Sequence, residues 1–221
     1  MLKKLISYFY PINIYKTTSE LSKTLEVTLV NGELVLDSKN TNYSYGSLQR
    51  VLRKGLKHIG FEKIKPMNHI LVLGVAGGSV IKTLVDEIGC KGKITGIEID
   101  DKVIELANDY FQLNKIKNFN IIHHEAFEFV LKTKQTYDLI IVDIFQDTLM
   151  PSFLFETFFQ NRLTEILNPG GFMLFNTMLL KEIDTVRNQN YLRFYNQINF
   201  KVATLPRIEE HNELIIVEKL K

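Results

Sequence analysis

The sequence predicts an α/β fold, in which a doubly wound, mostly parallel sheet with a C-terminal antiparallel hairpin follows a small N-terminal unit of a β-hairpin and a helix. From His69 onward, short apolar runs typical of strands buried on both faces alternate with apolar residues at helical spacing. The run Ile70–Leu73 is the clearest, because a glycine-rich turn and then a helical pattern follow it directly. Two strand patterns around a polar turn, Phe200–Leu205 and Glu213–Glu218, predict the closing hairpin.

The larger unit is predicted to alternate strand and helix throughout. Its remaining strands are expected at Lys93–Asp100, Phe119–His123, Tyr137–Asp143 and Phe172–Thr177. Its helices are expected at Val80–Ile88, Asp101–Phe111, Ala126–Lys132, Phe153–Leu167 and Lys181–Ile198, with Asn168–Gly171 closing the fourth of them.

We predict two units, a small one of residues 1–62 and a larger α/β one of residues 63–221. In the small unit, the dipeptide Asn31–Gly32 lies between two strand patterns and is a strong signal for a tight hairpin turn. The two strand patterns are Leu25–Val30 and Leu34–Leu36.

Helical patterns lie on either side of this hairpin. Ser47–Ile59 is predicted to form a helix with Ser47 as its N-cap, and Met1–Pro11 a short helix or arm. Because so short a hairpin cannot bury a core by itself, we expect it to dock on the larger unit and to support a homodimer.

The composition is that of an ordinary soluble domain. The formal net charge is +2, and 45% of the residues are hydrophobic. We find no basic cluster with interleaved aromatic residues, no apolar stretch of membrane-spanning length and no spacing typical of metal ligands. The single cysteine, Cys90, fits a reducing compartment. We therefore expect a cytoplasmic protein with a small-molecule substrate and without a nucleic-acid, membrane or metal partner.

A glycine-rich turn and an acidic strand end predict a nucleoside ligand. The turn after the first parallel strand contains Gly74, Gly77 and Gly78, a composition that lets backbone N–H groups and a helix N-terminus approach a ligand. Glu98 ends the next strand 24 residues after Gly74, near the interval at which a Rossmann-type unit places its ribose-binding carboxylate.

Two further carboxylates are candidate site residues. Asp143 follows the strand pattern that begins at Tyr137, at the edge where doubly wound sheets bind ligands, and it could orient a substrate or take a proton from an amine. Glu125 precedes a helical pattern, so it could cap the helix, and its candidacy as a ligand contact comes from the resemblance given below. Asp100 is expected to cap the helix that follows it.

Several segments together resemble the spermidine synthase family and its class I methyltransferase-like relatives, whose fold also closes with an antiparallel hairpin. The resemblance runs from about Leu34 to Met178. The segments that carry it are Leu34–Asp37, Tyr43–Tyr45, Ile97–Glu105, His124–Phe129 and Tyr137–Asp143.

The resemblance implies an S-adenosyl ligand, either S-adenosylmethionine or its decarboxylated form, and no metal. It implies that Glu98 holds the ribose hydroxyls, that Glu125 and Ala126 contact the adenine, and that the catalytic loop contains Asp143 and Asp147. The full set of implied ligand-binding residues is Gly74, Ala76, Gly77, Gly78, Ser79, Glu98, Ile99, Glu125, Ala126 and Asp143.

The chain departs from the family pattern at the acids that handle amines. Gly77 stands where the first loop of aminopropyltransferases has an aspartate. Gln146 stands at the second acid of the catalytic loop, with Asp147 one residue later. Gly46–Ser47 stands in place of the expected His-Glu pair. A neutral loop at a helix N-terminus would suit the carboxylate of intact S-adenosylmethionine.

These observations leave three hypotheses. The first, favoured by the neutral first loop, is methyl transfer from S-adenosylmethionine to a small molecule. The second is aminopropyl transfer from decarboxylated S-adenosylmethionine to putrescine. The third is a non-catalytic binding or assembly protein that retains the nucleoside pocket.

Overall fold

A computed structural model describes residues 2–38, 42–145 and 149–221 of the 221-residue chain. The N-terminal part begins with a short helix, α1 (Leu2–Ile6), and continues into an antiparallel sheet in the order β1-β2-β3-β4. Its strands are β1 (Ile12–Thr17), β2 (Leu25–Val30), β3 (Glu33–Ser38) and β4 (Asn42–Ser44). Helices α2 (Gly46–Ile59) and α3 (Phe61–Ile64) follow.

The remainder forms a seven-stranded sheet with helices on both faces. Its strands are β5 (His69–Leu73), β6 (Lys93–Glu98), β7 (Phe119–His123), β8 (Tyr137–Val142), β9 (Leu167–Met178), β10 (Phe200–Ile208) and β11 (Asn212–Lys219). Its helices are α4 (Ser79–Lys82, continued by a π-helical segment, Thr83–Ile88), α5 (Asp101–Asp109), α6 (Ala126–Lys132), α7 (Thr157–Ile166) and α8 (Glu182–Leu192).

The strand order is β10-β11-β9-β8-β5-β6-β7, with β5 to β9 parallel and β11 antiparallel to both of its neighbours. This order confirms the predicted α/β fold with a mostly parallel sheet and a C-terminal antiparallel hairpin. The chain leaves β5 toward β6 on one side and later adds β8 on the other, so the carboxyl end of β5 is a topological switch point, where sheets of this type form a crevice.

Successive side chains of the central strands enter two different cores, as the pleat requires. In β5, Ile70 and Val72 pack on the face covered by α2, whereas Leu71 and Leu73 pack on the face covered by α7 and α8. All four of these side chains are fully buried. The apolar run that identified this strand in the sequence is therefore explained by burial on both faces.

Several predicted boundaries were wrong for local reasons. Helix α2 begins after Tyr45 rather than with Ser47 as its cap, because Tyr45 and Gly46 both have positive φ and redirect the chain. Asn168–Gly171 belong to β9 instead of a loop. Helix α8 ends at Leu192, and further along the chain the Asn196 side chain accepts a hydrogen bond from the Asn199 backbone in a turn that replaces the predicted helix.

The predicted helix Phe153–Leu167 also begins later than expected, as α7 after a 3₁₀ turn at Ser152–Phe155. Strands β1 and β4 were not predicted. Within the described ranges, no helix has both the length and the apolar character needed to cross a bilayer.

Helix α2 packs on the large sheet, although the division at residue 62 places it in the small unit. The division at residue 62 stays a prediction, as does the homodimer.

The first residues expose apolar side chains, with Leu2 71% and Phe9 81% exposed.

The close approach of α2 to the sheet depends on a glycine. A Cβ built at Gly55 would lie 2.5 Å from Leu174 Cδ1 and 2.9 Å from Leu214 Cδ1, on strands β9 and β11. Alanine at position 55 would favour the isolated helix by about 1 kcal/mol, but overpacking a core costs about 1–3 kcal/mol.

We therefore expect Gly55→Ala to lower the free energy of unfolding by about 1 kcal/mol, measured by urea denaturation. Lys54→Ala, at the exposed neighbouring position of the same helix, is the control and should change it by less than about 0.5 kcal/mol. A more stable Gly55→Ala variant would contradict the tight packing of α2 on the sheet.

Candidate active site

A cavity of about 270 Å³ lies at the carboxyl ends of the central parallel strands. This is close to the lower end of the range usual for small-molecule sites. Its wall combines apolar side chains with several carboxylates and amides. The lining residues that matter below are Leu21, Ser22, Ser47, Gly74, Ala76, Glu98, Ile99, Asp100, His124, Glu125, Ala126, Asp143, Asn176 and Asn212.

The Glu98 carboxylate holds the glycine turn to the end of β6. One carboxylate oxygen, Oε2, accepts hydrogen bonds from the backbone N–H groups of Val75 (3.1 Å) and Ala76 (3.0 Å). The other, Oε1, accepts from the N–H groups of Ile99 (2.9 Å) and Asp100 (3.2 Å). Burial raises the pKa of Glu98, and the four N–H donors oppose this rise by stabilising the charged form.

Asp100 connects three parts of the chain. Its Oδ1 accepts from the N–H groups of Lys102 and Val103, so it caps α5 as expected. Its Oδ2 accepts from the hydroxyls of Ser19 and Ser22, which belong to the connection between β1 and β2. These bonds bring the N-terminal segment to the rim of the cavity, where Ser22 and its neighbour Leu21 form part of the wall.

Glu125 caps α6, the alternative left open by the sequence. Its Oε2 accepts a hydrogen bond of 2.8 Å from the Glu128 N–H. Glu125 and the buried Ala126 nevertheless line the cavity, together with His124. Capping and ligand contact are therefore compatible at this position, and the predicted adenine contact stays a prediction.

Asp143 follows β8 and faces the cavity beside Asn176, the residue near the end of β9. The Asn176 amide donates a hydrogen bond of 2.9 Å to Asp143 Oδ1. Burial raises the pKa of Asp143 to about 6, the Asn176 bond lowers it, and the Glu98 charge raises it. Among the described residues, no donor is found for the other oxygen of Asp143, which is therefore a free acceptor in this site.

Gly74 permits the close contact between β5 and the Asp143 backbone. It has a φ of 85°, and a Cβ at this position would lie 2.1 Å from the Asp143 carbonyl oxygen. A side chain here would displace the segment that presents Asp143. Ala76, in the same turn, also has a positive φ of 48°, a conformation that non-glycine residues adopt at a cost.

The structure places seven of the ten predicted ligand-binding residues in the wall: Gly74, Ala76, Glu98, Ile99, Glu125, Ala126 and Asp143. Gly77, Gly78 and Ser79 do not line the cavity. A Cβ at Gly77 would lie 2.8 Å from Ser44 Cβ, and one at Gly78 would lie 2.3 Å from Leu113. The Ser79 N–H donates to Ser44 Oγ at 3.1 Å, so these residues pack against β4 and Leu113. Asp147 and Gln146 lie outside the described residues.

Two lining residues, Asn176 and Asn212, were not predicted. Asn176 could have been found, because it lies near the carboxyl end of the parallel strand next to β8, where ligand-contacting side chains concentrate. Asn212 begins the antiparallel strand β11 after a turn, and its position depends on the hairpin register. Tyr45, from the family-like segment, is buried and stacks on Phe111 instead of lining the cavity.

The lining is acidic. Four carboxylates line it, those of Glu98, Asp100, Glu125 and Asp143, and none of its described lining residues is lysine or arginine. A buried carboxylate without a cation is costly, so this cavity favours a positively charged ligand. Within the same described ranges, no group of three or more His, Cys, Asp or Glu residues is arranged to hold a metal ion.

The comparisons with known sequences find relatives named as transferases. A probable polyamine aminopropyl transferase of Bifidobacterium longum is 31% identical over 115 residues, 52% of this chain and 25% of that protein. A polyamine aminopropyltransferase of Saccharolobus solfataricus is 27% identical over 165 residues, 71% of this chain and 54% of that protein. An eEF1A lysine and N-terminal methyltransferase homolog of Drosophila melanogaster is 25% identical over 122 residues, 51% of this chain and 18% of that protein. The chain thus spans about half or less of the length of these relatives.

Solved structures share the fold. A spermidine synthase in complex with the transition-state analogue AdoDATO has a TM-score of 0.73 at 17% identity, covering 94% of this chain and 74% of that one. Human methyltransferase-like protein 13 in complex with SAH has a TM-score of 0.66 at 20% identity, covering 80% of this chain and 83% of that one.

Residues 50–221 of the chain match a family model described as "Spermine/spermidine synthase domain". This match includes every strand of the large sheet and most of α2, the helix that packs on it. It confirms the resemblance seen in the sequence, and the names of the curated relatives agree with the predicted S-adenosyl-type transferase. The chain belongs to the spermine/spermidine synthase domain family.

Proposed function

We propose that this chain transfers an aminopropyl group from decarboxylated S-adenosylmethionine to an amine acceptor such as putrescine. The observation that carries the proposal is the acidic cavity, which has four carboxylates and neither lysine nor arginine among its described lining residues. Decarboxylated S-adenosylmethionine has a sulfonium and an ammonium group, and putrescine has two ammonium groups. The names of the curated relatives support the same reaction.

The position of the α4 N-terminus argues against intact S-adenosylmethionine, the donor favoured from the sequence. The sequence favoured this donor on the assumption that the neutral loop around Gly77 receives its carboxylate. Instead, the Ser79 N–H donates to the Ser44 hydroxyl, and Gly77 packs against the Ser44 side chain. An amino-acid carboxylate in this cavity would lie among other carboxylates, with no lysine or arginine among the described lining residues.

The glycine turn and the β6 end are proposed to receive the nucleoside. Gly74 and Ala76 present backbone to the cavity, Ile99 an apolar side chain, and Ala126 a small surface for a flat base. The four N–H bonds to Glu98 already use the acceptor positions of its two oxygens, so a ribose hydroxyl has to share or replace one of them.

Asp143 is proposed to hold the acceptor ammonium and to take its proton. The acceptor nitrogen must lose a proton before it can attack the carbon next to the sulfonium of the bound donor. The C–N bond then forms as the C–S bond breaks, and the electron pair of the C–S bond leaves with methylthioadenosine. Asp143 lines the cavity with one oxygen that has no donor among the described residues, and its raised pKa, about 6, makes it a stronger base than an ordinary aspartate. Asn176 keeps the other oxygen in a fixed direction.

Methyl transfer is the second candidate. One observation favours it, since Gly77 replaces the acid that aminopropyltransferases have in this loop and thus removes one partner of a donor ammonium. The similarity to the Drosophila methyltransferase homolog points the same way. Under this alternative, intact S-adenosylmethionine has to be the tighter ligand.

Calorimetric titration of the purified chain should therefore show tighter binding of decarboxylated S-adenosylmethionine than of S-adenosylmethionine. We expect at least a tenfold difference in Kd, because one buried carboxylate without a partner costs more than about 1.4 kcal/mol. Methylthioadenosine, which lacks both the sulfonium and the amine, serves as the neutral control. Its affinity should gain nothing from the negative charge of the cavity.

Tighter binding of the intact form would overturn aminopropyl transfer in favour of methyl transfer. A folded sample that binds neither form would contradict both reactions and leave the non-catalytic hypothesis.

Asp143→Asn should remove activity while stabilising the fold. With decarboxylated S-adenosylmethionine and putrescine, we expect kcat/KM to fall by about 100-fold or more, because the base is lost. In the parent chain, kcat/KM should decrease as the pH falls through about 6, since the Asp143 carboxylate is then protonated.

The stability effect has the opposite sign. The pKa of Asp143 rises from an ordinary 3.8 to about 6 in the folded chain, so its contribution to folding is lost as the pH rises through this interval. Asp143→Asn avoids this loss and should unfold with a free energy about 1–3 kcal/mol higher than the parent at pH 7, with the gap closing near pH 4. An equal or lower stability at pH 7 would contradict the burial of an uncompensated charge.

A further inference from the structure

We propose that Asn212 is a positioning residue for the base, because it fixes the orientation of the Asn176 amide that holds Asp143. The proposal rests on the role given to Asp143 under the proposed function. Asn212 Nδ2 donates to Asn176 Oδ1 at 3.0 Å, and Asn176 Nδ2 donates to Asp143 Oδ1 at 2.9 Å. The three side chains form one hydrogen-bonded row along the cavity wall.

The chemistry of each group permits only one direction for this row. An ionised carboxylate accepts hydrogen bonds and does not donate, so Asp143 requires the NH₂ group of Asn176. The Asn176 oxygen then faces Asn212, and Asn176 has no exposed surface from which to reach water. A buried carbonyl oxygen needs a donor, and Asn212 supplies it. Reversing the Asn176 amide would place its oxygen against the carboxylate.

Asn212 is held by a strained turn between β10 and β11. Glu209 and Glu210, in this turn, have φ values of 46° and 74°, and Arg207, near the end of β10, has a φ of 54°. Such conformations cost energy and persist where the surroundings enforce them. The Arg50 guanidinium on α2 donates two hydrogen bonds to the Glu209 carboxylate, at 3.0 and 2.7 Å.

The opposite face of β9 is also fixed. Thr177 is adjacent to Asn176 in the strand and has no exposed surface. Its hydroxyl donates to the Glu213 carbonyl at 2.8 Å and accepts from Asn188 Nδ2 at 2.8 Å. Asn188 donates as well to the Glu213 carboxylate at 2.7 Å. Hydrogen bonds on both faces therefore hold the strand end that carries Asn176.

Among the described lining residues, four titratable side chains accompany Asp143. Glu98, at the end of β6, raises its pKa, and the other titratable side chains in the described lining are Asp100, His124 and Glu125. The Asn176 amide is the one hydrogen-bond donor that lowers it. Loss or reversal of that amide should raise the pKa of Asp143, and the orientation of the amide depends on Asn212.

The test is a double-mutant cycle read by the Asp143 pKa. NMR titration of chain labelled with ¹³C at aspartate carboxyls reports this pKa without any substrate, with Asp143→Asn identifying the signal. Asn176→Leu removes the donor, and Asn212→Asp replaces the required donor by an acceptor of the same shape. Each should raise the pKa of Asp143 by about one pH unit, the effect of losing one hydrogen bond to the charged form.

If Asn212 acts through Asn176, the double variant should show no greater shift than Asn176→Leu alone. A shift that adds to that of Asn176→Leu would mean that the new charge acts directly on Asp143, and it would overturn the proposal. No shift in Asn212→Asp would overturn it too. Asn199→Asp, an equal charge change at an exposed position near the opposite end of the β10–β11 hairpin, is the control and should leave the pKa unchanged.

Two further measurements keep the test decisive. If Asn212→Asp does not fold, Asn212→Ala removes the donor without adding charge, and we expect a smaller shift in the same direction, with no shift as the contradicting result. In the transferase assay, the acid limb of kcat/KM should move upward by the same amount as the NMR pKa. A pKa shift in a chain without transferase activity would support the positioning role and contradict the proposed function, so the two failures are distinguishable.

Discussion

Four backbone N–H groups converge on the Glu98 carboxylate, and the shape of the cavity depends on them. Two belong to the turn after β5 and two to the turn after β6. The first turn contains Gly74 in the left-handed region and Ala76 with a φ of 48°, so it needs an external constraint. Because charged acceptors make stronger hydrogen bonds than neutral ones, a single glutamate can hold both turns in register at the switch point of the sheet.

Besides the strained backbone of this turn, the site has an electrostatic cost, because two carboxylates lie close together. Asp143 lies close enough to Glu98 for the Glu98 charge to raise its pKa, and burial raises it further. A fold selected for stability alone would have a neutral group at one of these positions. Retention of both carboxylates is physically reasonable where a cation completes the site, which is the argument that links the acidic lining to an amine-containing ligand.

The sequence was sufficient for elements whose signals are local. The strand Phe119–His123 and the helix Ala126–Lys132 have the predicted boundaries, because an apolar run and a capping glutamate mark them. The strand β1 was missed, since the alternation in Ile12–Thr17 is weak and most of its side chains are exposed or partly exposed. The start of α2 was misplaced because positive φ values at Tyr45 and Gly46, set by tertiary packing, precede it.

The site residues, too, could be predicted where the sequence signal is local and not where tertiary packing decides. Glu98 and Asp143 were found because the first ends a parallel strand and the second directly follows one, and strand ends meet at one edge of the sheet. The direction in which the turn residues Gly77, Gly78 and Ser79 face could not be read from the glycine pattern, because it depends on contacts with Ser44 and Leu113 from distant parts of the chain. Asn212 reaches the site only through the hairpin register, so no local pattern marks it.

The N-terminal part completes the cavity through hydrogen bonds of its serine hydroxyls. Ser44 covers the N-terminus of α4, and Ser19 and Ser22 bind the carboxylate of Asp100 beside the cavity. The helix terminus that the sequence predicted to suit a carboxylate is thus occupied by a hydroxyl from the same chain. That position is filled, and the rest of the described wall is acidic. The charge of the ligand is therefore constrained by how the two parts of the chain pack together. The glycine turn alone does not determine that charge.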